Sequence, residues 1–147
     1  MYVVSEFIGG DKMYTTILVP VALDHEHETS QAISIAKKLL VKGGKITLLS
    51  VVEPVAGFVA SYMPAGQAEK NRNEIEAALI KDADGNESIQ TAVITGHPGS
   101  SIVDYAKETN TDLIVITSHK PGLQDFFLGS TAARVVRYSQ CCVHVLR

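Results

Sequence analysis

At 147 residues the chain has the length of one ordinary domain, and a compact fold of that size hides roughly 70% of its unfolded surface. Its 46% hydrophobic and 20% charged residues exclude a disordered chain, and a net charge of −3, with no basic block longer than Lys37-Lys38, excludes the broad electropositive stripe of a duplex nucleic-acid binder. No apolar run reaches the roughly 18 residues that cross a bilayer, and MYVVSEFIGGDK lacks the basic-then-apolar layout of a secretion signal, so a cytoplasmic protein without membrane insertion is expected.

In chain order, residues 1–12 precede Met13, which has the look of a second start, and are read as a tail to a domain spanning 13–147. Short runs rich in Val, Ile and Leu predict strands over 16–22, 45–52, 89–95, 112–117 and 142–146. Three of them, ILV, LIVI and VHVL, are apolar at nearly every position, as in a parallel sheet covered on both faces. Between the first two, Ala32, Ile35, Ala36, Leu39 and Leu40 recur at helical spacing, with Gly43 as the stop. The stretch from Glu53 to about Ala65, EPVAGFVASYMPA, reads as a long irregular segment of the kind that is functional or mobile. Ile75, Ala78 and Leu79 mark a second, more polar helix ending near Lys81. A third opens at Ser100-Ser101, with Asp104 in capping-box position, carries Ile102, Tyr105 and Ala106 on one face, and stops near Asn110. A fourth opens at Gly129-Ser130, buries Ala132, Val135 and Val136, and carries Arg134 and Arg137 toward its negative end. This alternation predicts an open α/β fold with a parallel sheet and right-handed crossovers.

Ligands of such sheets bind beyond the carboxyl ends of the strands, where strand order reverses. Of those ends, ITSHKPGLQDFFLGSTAARVV is the most informative. A strand runs into a polar loop with His119 and Lys120, and Gly129-Ser130-Thr131 then starts a helix. Backbone N–H groups, two hydroxyls and the positive helix end make an anion site there, to which Lys120 adds charge; equally, Ser130 and Gly129 suit a plain cap and turn. Other motifs carry less. His25-Glu26-His27-Glu28 spaces its histidines at i, i+2 rather than on one helix face, and reads as a solvated helix start. Asp82 to Asn86 begins like a calcium loop, but Glu87 and Val93 stand where Gly and Glu are needed. Gly96-His97-Pro98-Gly99-Ser100 lacks the Lys that makes a P-loop, and no G-x-S-x-G elbow exists. The third strand ends in Thr95-Gly96, with no aspartate of a phospho-acceptor receiver. His144 reads as an edge or interface residue, and adjacent Cys141 and Cys142 as reduced core residues, since neighbours in a strand point to opposite faces.

Taken together, ILVPV, the S-x-V ending of KITLLSVV, G-H-P-x-x-x-I, D-L-I-V-I-x-S-H, and L-G-S-x-A-x-x-V-x-R-x-S-x-C-x-V-x-V-x-R resemble the universal stress protein family over residues 13–147. The resemblance implies a five-stranded parallel sheet of order 3-2-1-4-5 with helices on both faces, of the Rossmann-like, adenine nucleotide alpha hydrolase-like kind. It also implies a homodimer and, in the nucleotide-binding branch, ATP held by a G-x2-G-x9-G-[S/T] loop. Here Thr117 and Lys120 stand at the first two glycines, and eight residues rather than nine separate Lys120 from Gly129. The S-H-K-P segment is similar to a subgroup with S-H-[K/R]-P that retains ATP. The family's V-P-x-D places an acid where Ala22 stands, with Asp24 the nearest substitute, and by family position Pro20 and Val51, the latter through its backbone, line the adenine pocket.

The expectation that follows is a cytoplasmic, ATP-binding stress-response module with at most slow hydrolysis, because no catalytic base is positioned. ATP with Mg²⁺ is expected on Pro20, Asp24, Val51, Thr117, Ser118, His119, Lys120, Gly129, Ser130 and Thr131. The alternatives are a dimeric domain that has lost nucleotide binding and acts through protein contacts, and a flavodoxin-like binder of another phosphorylated ligand. The final strand, apolar but for His144 and at the sheet edge in the family's order, is expected to pair with its copy in a homodimer.

Overall fold

The computed structural model describes residues 13–22, 26–118 and 128–147, with side chains at all of them except 26 and 27. The proposed tail, residues 1–12, lies outside them. Strands β1 (Tyr14–Pro20), β2 (Leu40–Val52), β3 (Ile89–Thr95), β4 (Leu113–Thr117) and β5 (Cys142–Leu146) alternate with helices α1 (Glu26–Leu39), α2 (Gly57–Ala60), α3 (Gln67–Ala83), α4 (Pro98–Glu108) and α5 (Ser130–Tyr138). The strands form one parallel sheet in the order β3-β2-β1-β4-β5.

Alternation along β1 divides the core into two layers. Ile17 and Val19 pack with Ala32, Ile33 and Ala36 of α1 and with Leu79 and Ala83 of α3. Leu18, between them, packs on the opposite face with Ile102 and Ala106 of α4 and Ala132 and Val135 of α5. Both faces are covered, which is why β4 is buried at four consecutive positions and reads as a continuous apolar run.

Several elements begin elsewhere than local patterning suggests. Helix α1 stops at Leu39, and Leu40 already pairs with Tyr14, five positions before the expected strand start at Lys45. Between the Tyr14–Leu40 and Thr16–Lys45 pairs, β1 advances two residues and β2 five, an irregularity that Gly43 accommodates at φ +81°. Gly43 therefore serves a bulge rather than a helix stop. Helix α4 begins at Pro98, with His97 as a cap that makes no side-chain bond, ahead of the expected Ser100-Ser101 start; a proline at the first helical position has its φ preset and lacks only an N–H the helix does not use. The segment from Glu53 to Ala65 contains the single turn α2, with Phe58 and Tyr62 largely exposed. Val136 is 46% exposed rather than buried, because the inward stripe of α5 is Ala132 and Val135.

Asp112 precedes β4 and joins it to β1. Its carboxylate accepts hydrogen bonds from Thr15 N at 2.8 Å and Thr16 N at 3.0 Å, while its own N–H donates to Thr16 O at 2.9 Å. Asp112→Ala is expected to cost roughly 2 kcal/mol, or about 6 °C of unfolding midpoint, with Asp112→Asn losing about half of that because one acceptor remains. Thermal and urea unfolding of the two variants check this; a midpoint unchanged in Asp112→Ala would remove the clamp from the account.

The two cysteines are free, but they are not core residues: Cys141 is half-buried and Cys142 exposed. An edge strand has no further strand to cover it. Burial pushes the Cys141 thiol up, and a side-chain hydrogen bond with Cys142, followed by burial, raises Tyr14 above its ordinary range. Cys142 pairs with Leu113 at the amino-terminal end of the sheet, opposite the strand ends that carry the cavity described next.

Candidate functional site

After β1 the chain turns to β2 on one side, while β4 lies on the other, so the helices that follow β1 and β4 leave from opposite faces of the sheet. Backbone divergence at such a point opens a crevice that no side chain of the sheet fills. A cavity of about 500 Å³ lies there. Its floor is formed by strand ends: Pro20 of β1 and Val21 just after it, Leu49 to Val52 from β2, Ile116 and Thr117 from β4.

One wall is the start of α5. Gly129 is its cap and uses no side chain to close it. The first intrahelical bond runs from Ala133 N to Gly129 O at 2.8 Å, so the N–H groups of Ser130, Thr131 and Ala132 precede it at the positive end of the helix. All three residues line the cavity. Ser118 fixes this wall to the sheet: its N–H donates to Leu146 O at 2.8 Å and its Oγ accepts from Gly129 N at 3.1 Å. The Gly129 N–H is thereby committed to the protein, while the Ser118 hydroxyl keeps a proton to donate.

The opposite wall comes from the other face of the sheet. Glu28 and Thr29, in the first turn of α1, and Ile75 of α3 line it. Among the described lining residues, Glu28 alone carries a charge. The remaining lining is mainly aliphatic, with Pro98 and Ile102 of α4 closing the side next to α5. Hydroxyls and helix N–H groups thus face one end of the cavity and apolar groups the middle, an arrangement that suits a flat apolar ring system joined to an anion.

Of the residues singled out from the sequence, Pro20, Val51, Thr117, Ser118, Gly129, Ser130 and Thr131 meet in this one cavity. They come from β1, β2, β4 and α5 and the loops at their ends. Ala22 also lines it and is exposed. Asp24, His119 and Lys120 lie outside the described residues. Glu28, Thr29 and Ile75 carried no motif that pointed here, and Pro98 entered only through G-H-P-x-x-x-I, with no role in the site assigned to it. Glu28 belongs to a charged run that reads as a solvated helix start, and only the position of α1 above the strand ends turns one of those charges inward. No group of three or more His, Cys, Asp or Glu among the described residues could hold a metal ion.

The sequence profile of the universal stress protein family matches residues 13–147. A universal stress protein of Methanocaldococcus jannaschii is 31% identical over 154 residues, covering 99% of this chain and 90% of the relative. Among solved structures, the universal stress protein UspA from Lactobacillus plantarum superposes with a TM-score of 0.69 at 28% identity, covering 92% of this chain and 99% of its own. A universal stress protein solved in complex with cAMP shares the fold with a TM-score of 0.67 at 22% identity, over 92% of this chain and 99% of that one. With the profile spanning all five strands and the strand order matching, the chain belongs to the universal stress protein family.

Proposed function

We propose that this protein is a cytoplasmic adenine-nucleotide sensor that holds ATP, with Mg²⁺ carried on the phosphates, in the cavity where β1 and β4 diverge. The observation that carries the reading is the pairing, in one cavity of about 500 Å³, of an aliphatic slot with the uncapped amino end of α5 and the hydroxyls of Ser118, Ser130 and Thr131. The volume lies within the range that encloses a nucleotide-sized ligand. Adenine lies between Pro20 and the β2 end at Val51, and the phosphates lie against Thr117, Ser118 and the start of α5, with His119 and Lys120, outside the described residues, as the further candidate ligands. Mg²⁺ keeps most of its waters and binds through the phosphates, which explains why no acidic cage is required. Family members of the same fold have been solved with cAMP and, from Archaeoglobus fulgidus, with dAMP, so an adenine nucleotide is a ligand this fold accepts elsewhere.

Hydrolysis is at most slow: the hydroxyls and helix N–H groups of the described phosphate wall bind and orient phosphate without activating water. The protein works as a homodimer built by pairing of β5 with its copy. Mass spectrometry of ligand released from the purified protein, with calorimetric titration of the emptied protein, tests the reading. ATP or ADP supports it, and a flavin transfers the site to another phosphorylated ligand. No released ligand and no heat with ATP leave a dimeric domain that works through protein contacts.

A further inference from the structure

We infer that two copies of this chain, joined through β5, hold one Zn²⁺ between them, ligated by Cys142 and His144 of each copy. The inference rests on the homodimer proposed above and adds to it a metal at the two-fold axis. Side chains alternate along β5. Cys141, Val143 and Val145 pack in the layer with α4 and α5, while Leu146 packs in the opposite layer with Tyr14. Cys142 and His144 share the Leu146 face, roughly 6.6 Å apart along the strand. Helix α1 covers that face over β1, β2 and β4, but both residues stay exposed. Thiolate and imidazole are ligands that suit zinc, and this C-x-H pair supplies two of the four that a closed tetrahedral site needs. No third His, Cys, Asp or Glu among the described residues joins them. Tyr14 is hydrogen-bonded to the Cys142 side chain, and once the thiol ionises the phenol can only donate. Such an outer partner orients the sulfur and leaves it lone pairs for a metal.

The two-fold axis supplies the other two ligands. The Leu146 carbonyl accepts from Ser118 N, so Leu146, His144 and Cys142 turn their backbone groups toward β4, and Val143 turns its own outward. A second β5 laid antiparallel about an axis at Val143 exchanges both N–H···O bonds with it at that residue. Cys142 then stands opposite the partner's His144 as a non-hydrogen-bonded pair, with Cα atoms about 4.5 Å apart and side chains on the same face. By symmetry His144 stands opposite the partner's Cys142. The four ligands occupy the corners of a rectangle of roughly 4.5 by 6.6 Å, thiolates on one diagonal and imidazoles on the other. An ion seated above its centre meets all four, and the two thiolates cancel its charge. The neighbouring register, with the axis at His144, sets imidazole against imidazole and each Cys142 against the partner's Leu146, which holds the thiols away from the axis. Zinc therefore selects the register about Val143, and one copy alone leaves the site incomplete.

The test uses the full chain, reduced and stripped of metal by a chelator, titrated with Zn²⁺ while its mass is followed by light scattering on dilution. Expected are one zinc per two chains, a dimer constant tightened by on the order of a hundred-fold and, with Co²⁺ as probe, the absorption of a tetrahedral site that carries thiolate. Cys142→Ser and His144→Ala, both at exposed positions, should keep the zinc-free unfolding midpoint and the zinc-free dimer of the parent, yet lose the stoichiometric zinc and the tightening. A zinc-free dimer that takes up no zinc, or takes it up with no change in its dimer constant, overturns the inference and leaves the β5 homodimer standing. Zinc held at the same stoichiometry by the double variant Cys142→Ser, His144→Ala also overturns it, by assigning the ion elsewhere. A chain that stays monomeric with and without zinc overturns the homodimer and this inference with it.

Discussion

Replacing Gly129 with valine is expected to weaken Mg-ATP binding by at least about a hundred-fold while the protein still folds. The glycine is required by neither its backbone angles nor its packing. Its φ of −56° and ψ of 154° are open to every residue, and a Cβ built there meets no described heavy atom within 4 Å. Gly129 lines the cavity beside Ser118 and the first turn of α5. A branched side chain added there occupies the volume through which a phosphate approaches the N–H groups of Ser130 and Thr131. As a helix cap valine is poorer than glycine, which limits the stability cost to about 1 kcal/mol, or about 3 °C for a chain of this length. Gly129→Ala should lose roughly tenfold, having one methyl instead of three carbons in the path. Calorimetry on both variants, beside their melting curves, checks this. Unchanged affinity in Gly129→Val sinks the placement of the phosphates at α5.

Val145→Pro is expected to convert a homodimer into a monomer at micromolar concentration. Strand β5 bonds to β4 on one side only and is the last strand in the sheet order. The Leu146 carbonyl accepts from Ser118 N, so Leu146 turns its backbone groups toward β4, and by alternation Val145 and Val143 turn theirs outward. An outward row of donors and acceptors on a strand without lysine, proline or a bulge is what edge pairing requires, and antiparallel pairing with its own copy satisfies a two-fold axis. Proline at 145 removes an outward donor from each copy and leaves the carbonyl opposite it unbonded, while the ladder to β4 keeps its bonds. The dimer constant should weaken by on the order of a hundred-fold. Light scattering of the parent should give twice the mass of the 15.8 kDa chain. A monomer mass for the parent at micromolar concentration defeats the β5 interface.

Hydrophobic patterning located every strand of the sheet, because a parallel strand covered on both faces must be apolar at consecutive positions, as Leu113 to Ile116 are. Boundaries were less legible. Leu39 and Leu40 continue the apolar spacing of α1, yet Leu40 starts β2, since its partner is Tyr14, a residue 26 positions away whose pull leaves no local trace. The same limit applies to Cys141 and Cys142: their composition suits a core, and only their place at an uncovered edge leaves them partly exposed.

For the site, residue type and order were enough to single out the end of β4 at Thr117 and Ser118 and the helix start at Gly129 to Thr131, where backbone donors are left over, whereas Pro20 and Val51 came only from the family resemblance. Glu28, Thr29 and Ile75 became visible only in three dimensions. A side chain's sign and size are written in the chain, but whether a helix turns it toward water or over the strand ends depends on how α1 and α3 pack against β1 and β2. That packing is decided by a core cluster that brings Ala36 and Leu79 of the helices together with Ile17 and Leu48 of the strands, residues far apart in sequence. The chain by itself determined an alternating α/β fold with a phosphate-suited helix start; the tertiary structure decided which charge faces it, because a cavity wall is a property of neighbours in space rather than of neighbours in order.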